Sequence, residues 1–340
     1  MGTEPFFSSR KKPRPKAKTF FKVLALAFLA IFAALALTPF SQALLAQENQ
    51  APNESAKPNL RIISLYAADT EILLRLGARD QLVGISRQET YDGPETKDWP
   101  RPPEFSIHDD VEKFLAAAPD YILIRPMHLS ASPALFQTLE KTGIKIWSRQ
   151  CTEAKDLFDF WRELGEISGK QDQVNSMIEE FQAKIAALTY QDPQNGQGQA
   201  QNQDQNKAQG QNQRPGVFLE AIHKEVKTFT PDSIPVWLLT LAGGRNVADD
   251  SEPTRPGQIV ANYGPERLLE KADQVDVFIS QEGPMNKVDL KTVKERKIYA
   301  VLPAFKNNRV YRIPEELISR PSPSLVEGLE LLKGMIHPQK

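Results

Sequence analysis

Cysteine is nearly absent from this chain of 340 residues: Cys151 is the only one, so no internal disulfide can form. The core must hold by burial alone, which a chain of this length can manage. Histidine is almost as scarce, and the four, His108, His128, His223 and His337, are scattered with none paired at metal-ligand spacing. Also missing are Gly-x-Gly-x-x-Gly, a Walker loop, a Gly-x-Ser-x-Gly elbow and His-Glu-x-x-His. Their absence removes the commonest signatures of dinucleotide, nucleoside-triphosphate, serine-hydrolase and zinc-protease chemistry. No resident cofactor is expected and no metal site can be assigned. Cys151, just past a strand end, reads as a buried or incidental thiol in preference to a nucleophile.

What is present begins with an export signal. Arg10, Lys11, Lys12, Arg14, Lys16, Lys18 and Lys22 form a basic front, an uncharged run follows from Val23 to Leu37, and small residues surround Ser41-Gln42-Ala43. That order reads as a cleavable secretory signal over residues 1–46. An uncleaved membrane anchor is the competing reading, although the apolar run is short for a span. No cysteine follows the run, which argues against a lipoprotein anchor. Removing residues 1–46 takes away seven basic residues and one acid, leaving 35 basic against 42 acidic residues, a net charge of −7. An acidic exported chain is a poor nucleic-acid binder.

With 40% apolar and 25% charged residues the remainder is ordinary globular sequence. Residues 47–59 read as a polar linker. From 60 to 169, strands at 62–65, 82–85, 121–124 and about 145–148 alternate with short helices, separated by a long loop from Arg87 to Asp109. Alternation of that kind implies parallel βαβ units. Thr70–Leu76 reads as a helix capped by Asp69 and stopped by Gly77. Residues 170–190 read as one long helix, with Val174, Met177, Ile178, Phe181, Ile185 and Leu188 on one face. Residues 191–214 are rich in Gln and Asn and too polar to fold, so a disordered loop is expected. Residues 215–340 repeat the first pattern and close on a helix for which Ser324 and Glu327 form a capping box. The expectation is an α/β chain of two Rossmann-like lobes joined by one long helix, with a ligand cleft between the lobes.

Residues near strand ends would line that cleft. In the first lobe they are Tyr66, Arg87, Tyr91, His108, Arg125 and His128, with Trp99, Phe105 and Met127 as loop or core alternatives. In the second they are His223, Tyr263 and Arg320, with Phe229, Glu282 and Phe305 in the wider set. The turn Tyr66-Ala67-Ala68 has no glycine to admit a pyrophosphate, so it reads as cleft wall.

These stretches resemble the substrate-binding proteins of ABC importers for metal chelates. The likeness is carried by "RIISLYAADTEILLRLGARDQLVGIS", "VEKFLAAAPDYILI", "LEKTGIKIW", "AGGRNVA", "PERLLEKADQVDVFIS", "NNRVYRI" and Arg320-Pro321-x-Pro323, over residues 60 to 337. The resemblance implies a periplasmic receptor, not an enzyme. It would act as a monomer, hold a chelate between its lobes and deliver it to an ABC permease and its ATPase. The membrane would be met only through the permease or an uncleaved signal anchor. Docking through one acid per lobe is implied too. Glu295 matches in the second lobe, while "SASPALFQ" in the first shows no acid. Arg125 suits an anionic ligand, which ranks a ferric siderophore or haem ahead of a corrinoid. The competing readings are a binding module for a sensor or other non-transport partner, and a periplasmic enzyme.

Overall fold

Uninterrupted apolar runs bounded by polar turns make strands that are buried on both faces, and such strands belong in parallel sheets. The computed structural model describes residues 60–88, 91–192, 214–255, 257–284 and 286–338. The expected signal, the linker and nearly all of the Gln/Asn-rich stretch lie outside the described residues.

The first lobe is built from β1 (Ile62–Ser64), α1 (Ala67–Arg75), β2 (Leu82–Ser86), β3 (Glu104–Phe105), α2 (Val111–Ala116), β4 (Tyr121–Ile124), α3 (Pro126–Ala131), α4 (Pro133–Lys141) and β5 (Lys145–Ser148). Its sheet runs β3-β2-β1-β4-β5, every pair parallel. Helices α5 (Leu157–Ser168) and α6 (Gln171–Leu188) follow. Between them Gly169 takes φ 67°, a left-handed turn that a residue with a side chain adopts poorly.

The second lobe contains β6 (Gly216–Glu220), β7 (Lys227–Phe229), α7 (Ile234–Leu241), β8 (Arg245–Asn246), β9 (Val260–Asn262), α8 (Pro265–Glu270), β10 (Val277–Glu282), α9 (Leu290–Lys294), α10 (Pro303–Lys306), β11 (Val310–Pro314) and α11 (Leu325–Ile336). Its main sheet runs β11-β10-β6-β8, again parallel, and β7 and β9 form a separate antiparallel ribbon.

Each main sheet reverses direction once. In the first, the chain moves outward from β1 through β2 to β3 and then returns to place β4 on the other side of β1. In the second, β8 and β10 flank β6. Crevices open at the carboxyl ends of such strand pairs, and these are the positions where α/β folds hold ligands.

Helix α6 connects the lobes. At 18 residues it is about 27 Å long. Its start packs on α5 so closely that a Cβ at Gly165 would meet Val174 Cγ1 at 2.6 Å. Beyond its end, the Tyr190 N–H donates to Leu241 O at 2.8 Å, and Lys333 Nζ donates to Leu188 O at 2.8 Å. The lobes also touch directly. Trp161 Nε1 donates to Pro321 O at 2.8 Å, and the Ile234 N–H donates to Thr152 O at 3.2 Å. One apolar core runs through both, from Ile62, Ile72 and Trp161 to Leu219, Ile279 and Leu329.

Three local expectations are corrected. The first helix starts at Ala67, with Tyr66 as its N-cap, so Asp69 is not the cap but a fully buried residue of the first turn. Ser324 does not close a capping box, because its hydroxyl is donated to Glu71. The stretch from Arg87 to Asp109 is not all loop, since β3 lies within it and extends the sheet.

Candidate functional site

At the β1/β4 crevice the strand ends deliver Tyr66 and Arg125. The Arg125 guanidinium lies 4.7 Å from the centre of the Tyr66 ring, and Tyr66 is buried. Arg125 is also the N-cap of α3, and His128 Nδ1 accepts from its backbone N–H at 3.4 Å. Burial first, and the Arg125 charge second, push the His128 imidazole down to about 4, so it is neutral at pH 7.

The matching crevice in the second lobe, between β6 and β10, holds His223. Asn286 Oδ1 accepts from both the His223 backbone N–H at 3.0 Å and ring Nδ1 at 2.7 Å. The Asn286 amide group donates in turn to Gln281 O, which fixes which way the amide points. With Oδ1 committed as acceptor, Nδ1 is the ring nitrogen that donates to it, and Nε2 lies outside this bond. A histidine held in one tautomer by an amide oxygen has the form of a metal or proton ligand.

Two adjoining cavities lie between the lobes. The larger, about 810 Å³, sets Gln88 of the first lobe against Glu282, Lys287, Asp289, Arg312 and Glu316 of the second. The smaller, about 400 Å³, is lined by Glu71, Arg75, Tyr91 and Asp92 on one side and Glu316, Arg320 and Glu327 on the other. Pro284 and Glu316 line both. In the smaller one Arg75 reaches Glu71 at 3.0 Å and Glu95 at 3.6 Å, and the Tyr91 hydroxyl donates to Glu95. Burial, and Glu95 after it, push that hydroxyl well above its ordinary value.

The sequence-derived candidates therefore separate into groups. Tyr91 and Arg320 share the smaller cavity. Tyr66, Arg125 and His128 form one cluster, and His223 stands in the other lobe. Arg87 and His108 lie toward the edge strand β3, where Arg87 pairs with Asp109 at 3.1 Å and His108 is exposed. Burial raises the Asp109 carboxyl, but Lys113, the Ser106 N–H and Arg87 together hold it below its ordinary value. Tyr263 is corrected: it is buried in the core of the second lobe against Phe218, with its hydroxyl on Asp250 at 3.2 Å. Phe105 and Phe229 are core as well, and Phe305, partly buried, packs against the core of the second lobe on Phe278. Trp99 packs against the core, and Met127 is exposed. Glu295 stands exposed at the end of α9.

Sequence reasoning missed Gln88, Asn286, Lys287, Arg312 and Glu316. Each follows or closes a parallel strand within a few residues, and that position was the available signal.

A model of the periplasmic binding protein family matches residues 62–317. The chain belongs to that family. It is 22% identical over 282 residues to an uncharacterized ABC transporter substrate-binding lipoprotein, YvrC, of Bacillus subtilis, covering 82% of this chain and 80% of that one. It is 24% identical over 273 residues to the vitamin B12-binding protein of Vibrio cholerae, covering 80% and 87%. The fold is that of a possible iron-binding, periplasmic solute-binding protein from Staphylococcus epidermidis, with TM-score 0.64, 22% identity and coverage of 82% and 98%. Cys151 bonds to the Glu153 carbonyl, His128 to a backbone N–H and His223 to an amide, so none of these recorded partners is a carboxylate. Among the described residues no helix is long and apolar enough to cross a membrane.

Proposed function

We propose that this chain is the extracytoplasmic receptor of an ABC importer, which holds a metal chelate between its lobes and hands it to a permease. The observation that carries the reading is the interlobe cavity of about 810 Å³, where Gln88 just beyond β2 faces Glu282 and Pro314 at the ends of β10 and β11. An open interlobe cavity carrying charged side chains at converging strand ends suits capture without turnover. A ferric chelate, siderophore or haem, ranks ahead of a corrinoid. Arg125 and Arg320 supply charge for an anionic ligand, and His223 Nε2 offers a donor. Glu295 is the docking residue of the second lobe. The protein works in the periplasm as a monomer, and its partners are the permease and its ATPase. The long helix and the direct contacts between lobes limit hinge motion.

The test is the absorption spectrum of the protein isolated from the export compartment. A Soret band, a corrin spectrum or a ferric charge-transfer band is expected, with one equivalent bound. A colourless protein that takes up no haemin, cobalamin or ferric siderophore would sink the reading. Arg125→Ala combined with Arg320→Ala is expected to weaken binding about tenfold or more, and unchanged affinity removes the anion argument.

A further inference from the structure

The reading above leaves the ligand open between a compact, hydrogen-bonding ferric chelate and a flat macrocycle. The inference here rests on that reading and narrows it.

The larger cavity has an ionic wall. Parallel pairing of β10 with β11 sets Ser280 beside Arg312 and Glu282 beside Pro314, which brings the Arg312 and Glu282 side chains to one face. Arg312 Nη1 lies 2.8 Å from Glu282 Oε1 and also donates to Val288 O at 3.4 Å, so the guanidinium is held in place at the wall. Both side chains are 40% exposed, with polar edge to spare. Lys287, Asp289 and Glu316 complete this side. The smaller cavity, sharing Pro284 and Glu316, adds further carboxylates and two arginines.

Aromatic faces are scarce where they would be needed. Among the described residues lining the two cavities, Tyr91 is the sole aromatic, and its hydroxyl is committed to Glu95. Tyr66 is covered by Arg125, and Phe105 and Phe229 are turned into the core. A porphyrin presents two broad apolar faces. Seating such a face on these side chains would strip water from ionised groups and return no hydrogen bonds. It would also forfeit the apolar contact that gives flat ligands their affinity. A chelate whose arms carry hydroxamate, hydroxycarboxylate or amine groups meets the same wall with donors and acceptors of its own.

We propose that the Glu282–Arg312 pair, with Lys287, selects a hydrophilic ferric chelate and rejects the flat porphyrin of haem. The experiment titrates the purified protein with ferrioxamine B, ferric citrate, haemin and cyanocobalamin, read by quenching of tryptophan fluorescence. One of the two hydrophilic ferric chelates is expected to saturate at one equivalent, at least about 100-fold tighter than haemin. Preference for cationic ferrioxamine B would assign the selection to Glu282 and its neighbouring acids, and preference for ferric citrate to Lys287 and Arg312. E282Q is expected to weaken ferrioxamine B about tenfold if that chelate saturates the protein, and K287M to weaken ferric citrate about tenfold if that one does, each with an unchanged thermal midpoint. Equal or tighter binding of haemin overturns the selectivity, equal or tighter binding of cyanocobalamin overturns the ferric assignment, and both leave the receptor reading standing. Unchanged affinity in the variant matched to the preferred chelate overturns the assignment to these residues. Failure of all four probes removes the receptor reading and this inference with it.

Discussion

Glu71 and Ser324, 253 positions apart, are joined by two hydrogen bonds: Glu71 Oε1 accepts from the Ser324 N–H at 3.0 Å and from its hydroxyl at 2.7 Å. Glu71 belongs to the first lobe and Ser324 opens the last helix of the second, so the contact clasps the lobes at the wall of the smaller cavity. Arg75 neutralises the carboxylate from 3.0 Å. Burial nonetheless outweighs these partners and raises the Glu71 carboxyl above its ordinary value.

Glu71→Ala should therefore cost more than a surface substitution. It orphans the Ser324 N–H and leaves half-buried Arg75 with only Glu95 as an ionic partner, at a cost of about 3 kcal/mol. Ser324→Ala keeps the backbone bond and should cost about 1.5 kcal/mol. Because the two share one contact, the double variant should lose about 1 kcal/mol less than the sum. Urea denaturation measures all three, and strict additivity would show that the hydroxyl bond of the clasp contributes nothing.

A second buried pair lies inside the second lobe. Glu220, fully buried at the end of β6, accepts from Arg296 Nη2 at 3.0 Å and from the Ser280 hydroxyl at 2.6 Å. Arg296→Met strands that carboxylate and should destabilise by about 3–5 kcal/mol. E220Q/R296M, which removes both charges, should recover at least half of the loss. If the double variant is no better than the single one, shape and not charge accounts for the cost.

His128 gives the acid response a definite sign. Its imidazole is held down to about 4 against an ordinary 6.5, so between those values the unfolded chain binds more protons than the folded one. Stability from neutral His128 is complete above pH 6.5 and is lost as pH falls toward 4. His128→Gln should remove this dependence, so that the thermal midpoint falls about 2–4 °C less between pH 7 and pH 5 than in the parent. Parallel curves for the two proteins would exclude His128.

How much of this was legible in the sequence depends on the range of the interaction. Two parallel lobes and one long connecting helix were readable, because apolar runs such as Ile62-Ile63 and Phe278-Ile279 and the face from Val174 to Ile185 report burial locally. Asp69 and Ser324 misled for a related reason. Each has the residue type and position of a cap, but Asp69 is buried within the first turn, and Ser324 is drawn off by a carboxylate distant in sequence. Tyr263 sits near a strand end like the other cleft candidates. Only the ribbon β7–β9, with no signal in either strand alone, decides that its ring turns inward onto Phe218. Gln88, Lys287 and Arg312 were invisible as a set, because the wall they form exists only once both sheets are folded.

Cys151 should behave as a core residue. It is buried, its Sγ lies 3.4 Å from the Glu153 carbonyl, and burial, the largest influence, pushes the thiol up to about 12. Thiolate is the reactive form. Ellman's reagent should find almost no reactive thiol in the native protein at pH 8 and one equivalent after denaturation. Rapid native reaction would reopen a nucleophilic role.

His223 and Asn286 test whether the second lobe supplies a donor to the chelate. His223→Ala deletes the ring, whereas Asn286→Leu leaves it in place and removes the oxygen that fixes its tautomer and direction. If Nε2 contacts the ligand, either change should weaken binding of whichever ferric chelate saturates the protein by about tenfold, since second-shell losses commonly reach that size. The double variant should lose little more, because Asn286 acts through the ring. A shift in the ferric charge-transfer band in both single variants would place the imidazole at the metal, whereas an unshifted band with weakened affinity would place it on a ligand arm. If Asn286→Leu binds like the parent while His223→Ala does not, the amide is not what orients the ring. If neither variant changes affinity, His223 is outside the site, and the first lobe's Tyr66 and Arg125 must hold the ligand together with the ionic wall.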